Sequence, residues 1–232
     1  MNETKNKLES LMLKWKETHS GKGWNSFISD GAVNAAIYET SSPKICFFLK
    51  EAYSRSDDES WSLTEWLADG AMTRMWGVVA EWSYGIMHTT KTSIPAKPTL
   101  TTSEKTKLLQ SLAVVNVKKS NGDVQSDYDD LLRYAIADKD NLKRELEILN
   151  PDVIICGNNS SLLRLLYGAS IDRKGKVAPD GQLNYEFMQK NGFAIVGDQI
   201  IIDYYHPANQ YPSIMNYYTV CSLYQQALKA KG

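Results

Sequence analysis

The chain has 232 residues, of which 43% are hydrophobic and 23% charged, and this composition is typical of a globular protein. Its 26 basic residues nearly balance its 27 acidic residues, which argues against a protein that coats nucleic acid through a strong overall positive charge. A local basic groove remains compatible with this balance.

No run of apolar residues reaches the roughly 20 that a membrane helix needs, and the first ten residues lack the apolar segment of a signal peptide. The three cysteines, Cys46, Cys156 and Cys221, lie far apart and have no metal-binding spacing. We therefore predict a cytoplasmic protein without membrane contact, with buried reduced thiols and without a metal, an iron–sulfur cluster or another cofactor.

The first half of the chain contains one clear buried strand between helical segments. Apolar residues between positions 8 and 15 recur at helical spacing and predict an amino-terminal helix. The continuous apolar run "KICFFLKEAY" at 44–53 predicts a strand buried on both faces. Residues 60–87 are predicted to form two helices divided near Gly70. Four tryptophans of this region are spaced like core residues: Trp61, Trp66, Trp76 and Trp82.

The second half repeats the alternation of strands and helices. Buried strands are predicted at "AVVNVKK" (113–119) and "PDVIICG" (151–157). The segment "FAIVGDQIIIDYYHP" (193–207) is predicted to be either a small hairpin or one broken strand. Residues 127–149 are predicted to form one long helix, with acidic residues in its first turns as the helix dipole favours.

Strands that alternate with helices predict a parallel sheet covered by helices on both faces. Ligands bind such sheets beyond the carboxyl ends of the strands, so the residues that follow each apolar run are the informative ones. Four such exits are polar: residues 50–53, 116–119, 157–159 and 206–209. Together they offer an acid, amides, ammonium groups and an imidazole.

These four exits resemble the motifs of the uracil-DNA glycosylase superfamily, in which strands end in G-Q-D-P-Y, L-L-N, a Gly and H-P-S-P. The corresponding segments here are "LKEAY" (49–53), "VVN" (114–116), "IICG" (154–157) and "YHPANQY" (205–211), in the same order. The fuller pattern is similar to a bacterial branch of that superfamily for which no activity is established.

The resemblance implies a three-layer α/β/α fold with a central parallel sheet of about four strands. It places all 232 residues in one domain, with residues 1–40 as a helical extension packed on it. The implied activity is hydrolysis of the N-glycosidic bond of a flipped, uracil-like or damaged base in single- or double-stranded DNA. Glu51 would act on the sugar or on water, Asn116 would read the base, and His206 would stabilise the leaving base.

Further contacts follow from the same resemblance. Tyr53 would stack on the base, and one group of polar residues would contact DNA: Lys50, Lys118, Asn158, Asn209, Gln210 and Tyr211. Lys119 is a weaker candidate for a phosphate contact. The first motif reads Lys-Glu-Ala-Tyr where relatives have Gln-Asp-Pro-Tyr, which leaves the catalytic role of Glu51 open.

Each of these residues also has an ordinary structural interpretation. Glu51 can pair with Lys50 or Lys118, and His206 can belong to a turn before a helix. Asn116 can be a turn former, because Asn is common directly after apolar runs. The alternative function is a non-catalytic module that binds nucleic acid or a nucleotide, and a third possibility is a protein-interaction role.

Overall fold

A computed structural model of the chain describes residues 3–22, 24, 26–53, 59–123 and 125–232. The helices are α1 Glu3–Gly21, α2 Ala35–Thr40, α3 Leu63–Ala68, α4 Arg74–His88, α5 Thr102–Gln110, α6 Tyr128–Ala137, α7 Lys139–Leu149, α8 Ser160–Leu166, α9 Tyr185–Asn191 and α10 Ser213–Ala230. The strands are β1 Ile28–Ser29, β2 Gly31–Ala32, β3 Ile45–Ala52, β4 Trp61–Ser62, β5 Ala113–Asn121, β6 Val153–Gly157, β7 Phe193–Val196 and β8 Gln199–Tyr204.

The central sheet has six strands in the order β2-β5-β3-β6-β8-β7. Its four inner strands, β5, β3, β6 and β8, are parallel to one another, which confirms the predicted parallel sheet. The sheet exceeds the predicted size because β2 and β7 add an antiparallel strand at each edge. Of the two interpretations of residues 193–207, the hairpin is the one found.

Helices cover the sheet on both faces, and this explains the continuous apolar runs. Residues Ile45 to Leu49 of β3 are all 3% exposed or less. Cys46 and Phe48 pack on one side with α1, α6, α7 and α8, which we call the α1 face. Ile45, Phe47 and Leu49 pack on the other side with α3, α4, α5 and α10, the α10 face. The fold is thus a mixed α/β architecture with a mostly parallel sheet between helical layers.

The predicted division of residues 60–87 into two helices is confirmed by α3 and α4. Trp76 and Trp82 of α4 are buried, as expected for core residues. The core assignment is wrong for Trp66, which is 39% exposed. The buried side of the short helix α3 is formed by Leu63 and Leu67, four residues apart, and Trp66 lies off that side.

The long helix predicted at 127–149 is in fact two helices, α6 and α7, which meet at Asp138. The Asp138 N–H donates to the carbonyl of Tyr134 in α6, while its carbonyl accepts the N–H of Leu142 in α7. The Asp138 carboxylate forms an ion pair with Lys22, with 2.6 Å between Nζ and Oδ1. Lys22, which follows α1, therefore contacts the junction between α6 and α7. Helix propensity depends on the local sequence and does not reveal this contact.

The amino-terminal segment contains more than the predicted helical extension. Besides α1 and α2 it contributes β2, which pairs with β5 at the edge of the central sheet. The three cysteines are buried and free, as predicted. Within the described ranges, no helix combines the length and the apolar composition needed to cross a bilayer.

Candidate functional site at the carboxyl edge of the sheet

Because β5, β3, β6 and β8 are parallel, their carboxyl ends meet at one edge of the sheet. Asn116 of β5 is the register partner of Leu49 in β3, and Gly157 of β6 is the partner of Tyr204 in β8. Phe48 of β3 pairs with Cys156 of β6, and the next residues of these strands, Leu49 and Gly157, lie side by side. Asn116, Leu49, Gly157 and Tyr204 therefore form one row across the four strands. His206 follows this row by two residues.

His206 packs directly over the β6 strand. A Cβ atom added to Gly157 would lie 3.1 Å from Cδ2 of His206 and 2.8 Å from Cδ2 of Leu49. Only a residue without a side chain leaves room for both groups at their present distance. The glycine at the third exit therefore sets how closely the imidazole approaches the sheet.

The environment of His206 keeps its imidazole neutral. Burial, assisted by the positive charge of Lys50, lowers the pKa of His206 to about 4. Nδ1 accepts the N–H of Ala208 at 3.2 Å, so the single ring proton of the neutral form resides on Nε2. The side chain is thus a hydrogen-bond donor through Nε2 at neutral pH.

The loop that carries His206 is tied to the protein through α10. Asn209 donates to the carbonyl of His206 through its backbone N–H at 2.9 Å and through Nδ2 at 2.8 Å. Asn216 of α10 donates from Nδ2 to Oδ1 of Asn209 at 2.8 Å and accepts the Tyr204 hydroxyl at 2.9 Å. Asn209, predicted to contact DNA, is therefore engaged in holding the loop.

Gln210 and Tyr211 remain exposed at the tip of this loop. Gln210 accepts a hydrogen bond from Arg74 at 3.1 Å, and half of the Tyr211 side-chain surface is open. The ring of Tyr211 lies beside that of Tyr205, with 5.0 Å between their centroids. These side chains are positioned for contact with a ligand outside the protein.

Asn116 lies in the middle of a strand, because β5 continues to Asn121. The interpretation of Asn116 as a turn former at a strand end is therefore wrong. Its backbone N–H donates to Oδ2 of Asp30 at 2.8 Å, and the residue is 2% exposed. Among the described residues, Oδ1 of Asn116 has no hydrogen-bond partner. A buried amide oxygen without a partner in the protein is costly unless an ordered water or a ligand supplies one.

Glu51 is enclosed rather than open. Its carboxylate lies 3.2 Å from Nζ of Lys118, and its side chain is 6% exposed. Gly122 lies against this side chain, since a Cβ there would be 2.2 Å from Cγ of Glu51. The pairing of Glu51 with Lys118, one of the ordinary interpretations of Glu51, is what the structure contains.

Lys118 is likewise occupied inside the protein. Besides Glu51 it contacts Asp130 of α6, with 2.9 Å between Nζ and Oδ2. Burial disfavours its charged form, but the hydrogen bond with Asp130 and the charge of Glu51 outweigh this and raise the pKa of Lys118. Lys118 is therefore a paired cation at the edge of the sheet.

The suggestion that Lys119 contacts phosphates is wrong, because its side chain is fully buried on the α1 face. It pairs with Asp30 and with Glu145 of α7, at 2.8 Å from the latter. Burial opposes its charge, yet the two carboxylates raise its pKa. The positions of Lys118 and Lys119 differ because successive residues of a strand point to opposite faces.

The remaining predicted residues lie at the rim of the edge. Tyr53 is 58% exposed, and Lys50 forms no ion pair with any described residue while its charge acts on His206. Asn158 adopts a left-handed conformation with φ of 60° directly after β6, and its N–H donates to the carbonyl of Tyr204 at 2.8 Å. Its exposed side chain remains accessible.

Searches among protein-family models, curated proteins and solved structures found no match.

Two residues of the edge were given no role from the sequence, although Asn159 belongs to the predicted exit 157–159. Asn159, at the start of α8, is buried, and neither amide atom of its side chain has a partner among the described residues. Burial raises the pKa of Asp203, while a hydrogen bond with Ser160 and the charge of Arg164 oppose the rise. A lone Asp inside the apolar run "IIIDYY" was the signal available for Asp203.

Proposed function

We propose that this protein cleaves the N-glycosidic bond of a flipped, uracil-like or damaged base in DNA. The observation that carries the proposal is the buried Oδ1 of Asn116, which has no hydrogen-bond partner among the described residues and lies in the same row of the sheet as the glycine beneath the neutral imidazole of His206. The two groups complement an acceptor-rich base that carries an imide N–H.

Asn116 would recognise the base. A uracil-like ring offers an N–H between two carbonyl groups, and the free Oδ1 of Asn116 can accept that proton. Binding then supplies the missing hydrogen bond, which makes an unpaired buried oxygen useful rather than merely costly. Leu49 lies between Asn116 and Gly157, so the strands that bear these two positions are roughly 10 Å apart.

His206 would stabilise the departing base. As the glycosidic bond breaks, negative charge develops on the base, and a fixed donor aimed at that charge lowers the barrier. The Nε2–H of neutral His206 is such a donor, and the bond from Ala208 to Nδ1 fixes its tautomer. Its lowered pKa means that this role does not require protonation at neutral pH.

Glu51 has no independent role in the site as it stands. Oε2 of its carboxylate pairs with Lys118, and Gly122 lies against the side chain, while the buried Oε1 has no hydrogen-bond partner among the described residues. The carboxylate is thus an enclosed member of an ion pair rather than an open base for water. The proposed chemistry therefore assigns base recognition to Asn116 and leaving-group stabilisation to His206. The resemblance of the four motifs, in their order along the chain, to those of uracil-DNA glycosylases supports the proposal.

The test is a glycosylase assay on single- and double-stranded oligonucleotides that carry uracil, hypoxanthine or another altered base, followed by alkaline cleavage of abasic sites. We expect product with the native protein and a loss of roughly 100-fold or more in His206→Asn, as for removal of a catalytic donor. Asn116→Leu is expected to lose base selectivity. His88→Asn is the matched control, because His88 is exposed and bonds only to its own helix at Tyr84.

A second candidate function is favoured by the enclosed Glu51. Without a free carboxylate near the sugar, the same edge can bind a base or nucleotide without cleaving it. This module would show no product with any oligonucleotide, together with measurable binding that weakens in Asn116→Leu. Absence of both product and binding would contradict both functions.

A further inference from the structure

A separate cavity of about 720 Å³ lies among α6, α8, α9 and the segment 170–184. It belongs to the α1 face, where the leucines of α8 pack, whereas Leu49 beneath His206 packs on the α10 face. Its lining residues are Tyr128, Asp129, Ser161, Arg164, Lys174, Gly175, Lys176, Val177, Pro179 and Tyr185. The volume falls in the range of small-molecule sites.

The lining is predominantly cationic. Arg164, Lys174 and Lys176 share the lining with one carboxylate, that of Asp129, and within the described ranges none of the three cations forms an ion pair. The charge of Arg164 also acts on the carboxylates of Asp180 and Asp203, which lie outside the lining. Arg164 is only 3% exposed, and its buried Nε has no hydrogen-bond partner among the described residues. A nearly buried guanidinium with an unpaired donor is a site for an anion, because burial strengthens its attraction for one.

The cavity wall is held in place before any ligand arrives. Nη2 of Arg164 donates to the carbonyl of Val177 at 3.0 Å and also to that of Ala178. Oδ1 of Asp172 accepts the backbone N–H of Lys174 at 2.8 Å and that of Lys176 at 2.9 Å. These bonds fix the backbone of the turn that presents both lysines, so the ordering of that backbone is not a cost of binding.

Two tyrosines add an aromatic component. The guanidinium carbon of Arg164 lies 4.2 Å from the centroid of the Tyr185 ring. Tyr128, 43% exposed, is anchored by a hydrogen bond of 3.0 Å between its hydroxyl and that of Ser161. An exposed ring, that of Tyr128, and a half-buried ring, that of Tyr185, next to cations suit a ligand that carries both a flat base and a phosphate. The Asp129 carboxylate can accept hydrogen bonds from sugar hydroxyls.

We propose that this cavity binds a nucleoside monophosphate, either free or as a terminal nucleotide of a single strand. The phosphate lies against Arg164, Lys174 and Lys176, and the base contacts the tyrosines. The site is independent of the chemistry at His206, because it is built from the other face of the sheet.

The test is isothermal titration of the full chain with AMP, adenosine and inorganic phosphate at low salt. We expect AMP to bind, adenosine and phosphate each to bind at least tenfold more weakly, and salt to weaken AMP binding through screening. A 5′-phosphorylated single-stranded octamer and its 5′-hydroxyl counterpart distinguish the two sources. Preference for the phosphorylated octamer over AMP identifies a strand end, and the reverse identifies a free nucleotide.

The decisive variant is Lys174→Glu/Lys176→Glu, because both side chains are exposed and their loss does not threaten folding. Its AMP affinity is expected to fall at least tenfold. Lys16→Glu/Lys107→Glu makes the same charge change at exposed positions outside the cavity and should leave the affinity unchanged. Tyr185→Leu should weaken AMP more than inorganic phosphate.

Three results would overturn the proposal: no AMP binding, equal losses in the two double-lysine variants, or equal affinities for AMP and adenosine. His206→Asn should bind AMP as the native protein does. AMP binding therefore tests the cavity, and the glycosylase assay tests the site at His206. A negative result in one experiment does not change the result of the other.

Discussion

Two regions near the carboxyl edge of the sheet differ in how their polar groups are paired. In the charged region, formed by Asp30, Glu51, Lys118, Lys119 and Glu145, each charge has a partner of opposite sign, although Oε1 of Glu51 and of Glu145 has no hydrogen-bond partner among the described residues. In the uncharged region, formed by Asn116, Gly157 and His206, Oδ1 of Asn116 has no hydrogen-bond partner among the described residues, and Nδ1 of His206 accepts the N–H of Ala208. The comparison indicates that charged residues near a predicted site can be paired within the protein, while the neutral polar groups are the candidates for recognition in the proposed function.

The largest expected effect concerns the buried lysine of the charged region. Lys119→Met leaves Asp30 and Glu145 without their cation, and breaking a buried ion pair in this way costs about 3–5 kcal/mol of unfolding free energy. Lys118→Met is the matched comparison, with a smaller expected loss of about 1–3 kcal/mol, since the Lys118 and Asp130 side chains are partly exposed whereas Lys119 and its partners are fully buried. Urea denaturation measures the loss of unfolding free energy in both variants. Equal losses would show that the ion pairs of Lys118 and Lys119 contribute equally to stability.

A smaller loss of stability is expected when a glycine that lies against a side chain of each region is replaced by alanine. Gly122→Ala places a Cβ against Glu51, and Gly157→Ala places one against Leu49 and His206. Each overpacking is expected to cost about 1–3 kcal/mol.

Only Gly157→Ala should also impair base binding or cleavage, because only it moves His206. The check is the glycosylase or oligonucleotide-binding assay at a temperature where both variants are folded. A greater loss of binding or cleavage in Gly122→Ala than in Gly157→Ala would indicate that Glu51, rather than His206, is the active group.

The smallest expected effect is a pH dependence from His206. In the folded chain its pKa lies at about 4, whereas in the unfolded chain it is close to 6.5. The unfolded state therefore binds more protons between these values, and folding stability falls as the pH is lowered through this window. The contribution is roughly 1 kcal/mol between pH 6.5 and 5, once screening by solvent is allowed for.

Thermal unfolding of native protein and His206→Asn across this range measures the contribution of His206. The native protein should lose more stability than the variant on acidification. Parallel curves for the two proteins would show that the imidazole titrates normally.

Much of the fold could be predicted from the apolar runs. Strands β3, β5, β6 and β8 were all expected as buried parallel strands, because each run is continuous and lies between helices. The short edge strand β2 was missed, since a two-residue strand carries no periodicity. The break at Asp138 was missed because its ion-pair partner, Lys22, lies more than 100 residues away in the sequence.

The sequence predicted which residues lie near the candidate site, but not which of them form ion pairs with one another. The residues after each apolar run could be grouped because parallel strands share one carboxyl edge. The burial of Lys119 could not be read from the sequence, because its carboxylate partners come from distant segments. The cavity around Arg164 was also missed, since it is assembled from three helices and a loop without a local motif.

The sequence by itself determined which segments become buried strands and which polar residues follow them, because continuous apolar runs must be covered on both faces. Tertiary structure alone decided whether those polar residues are free or paired. Glu51 is enclosed because Lys118 and Gly122 lie beside it, and His206 is neutral because packing over Gly157 removes it from water. Such pairing depends on contacts between distant parts of the chain.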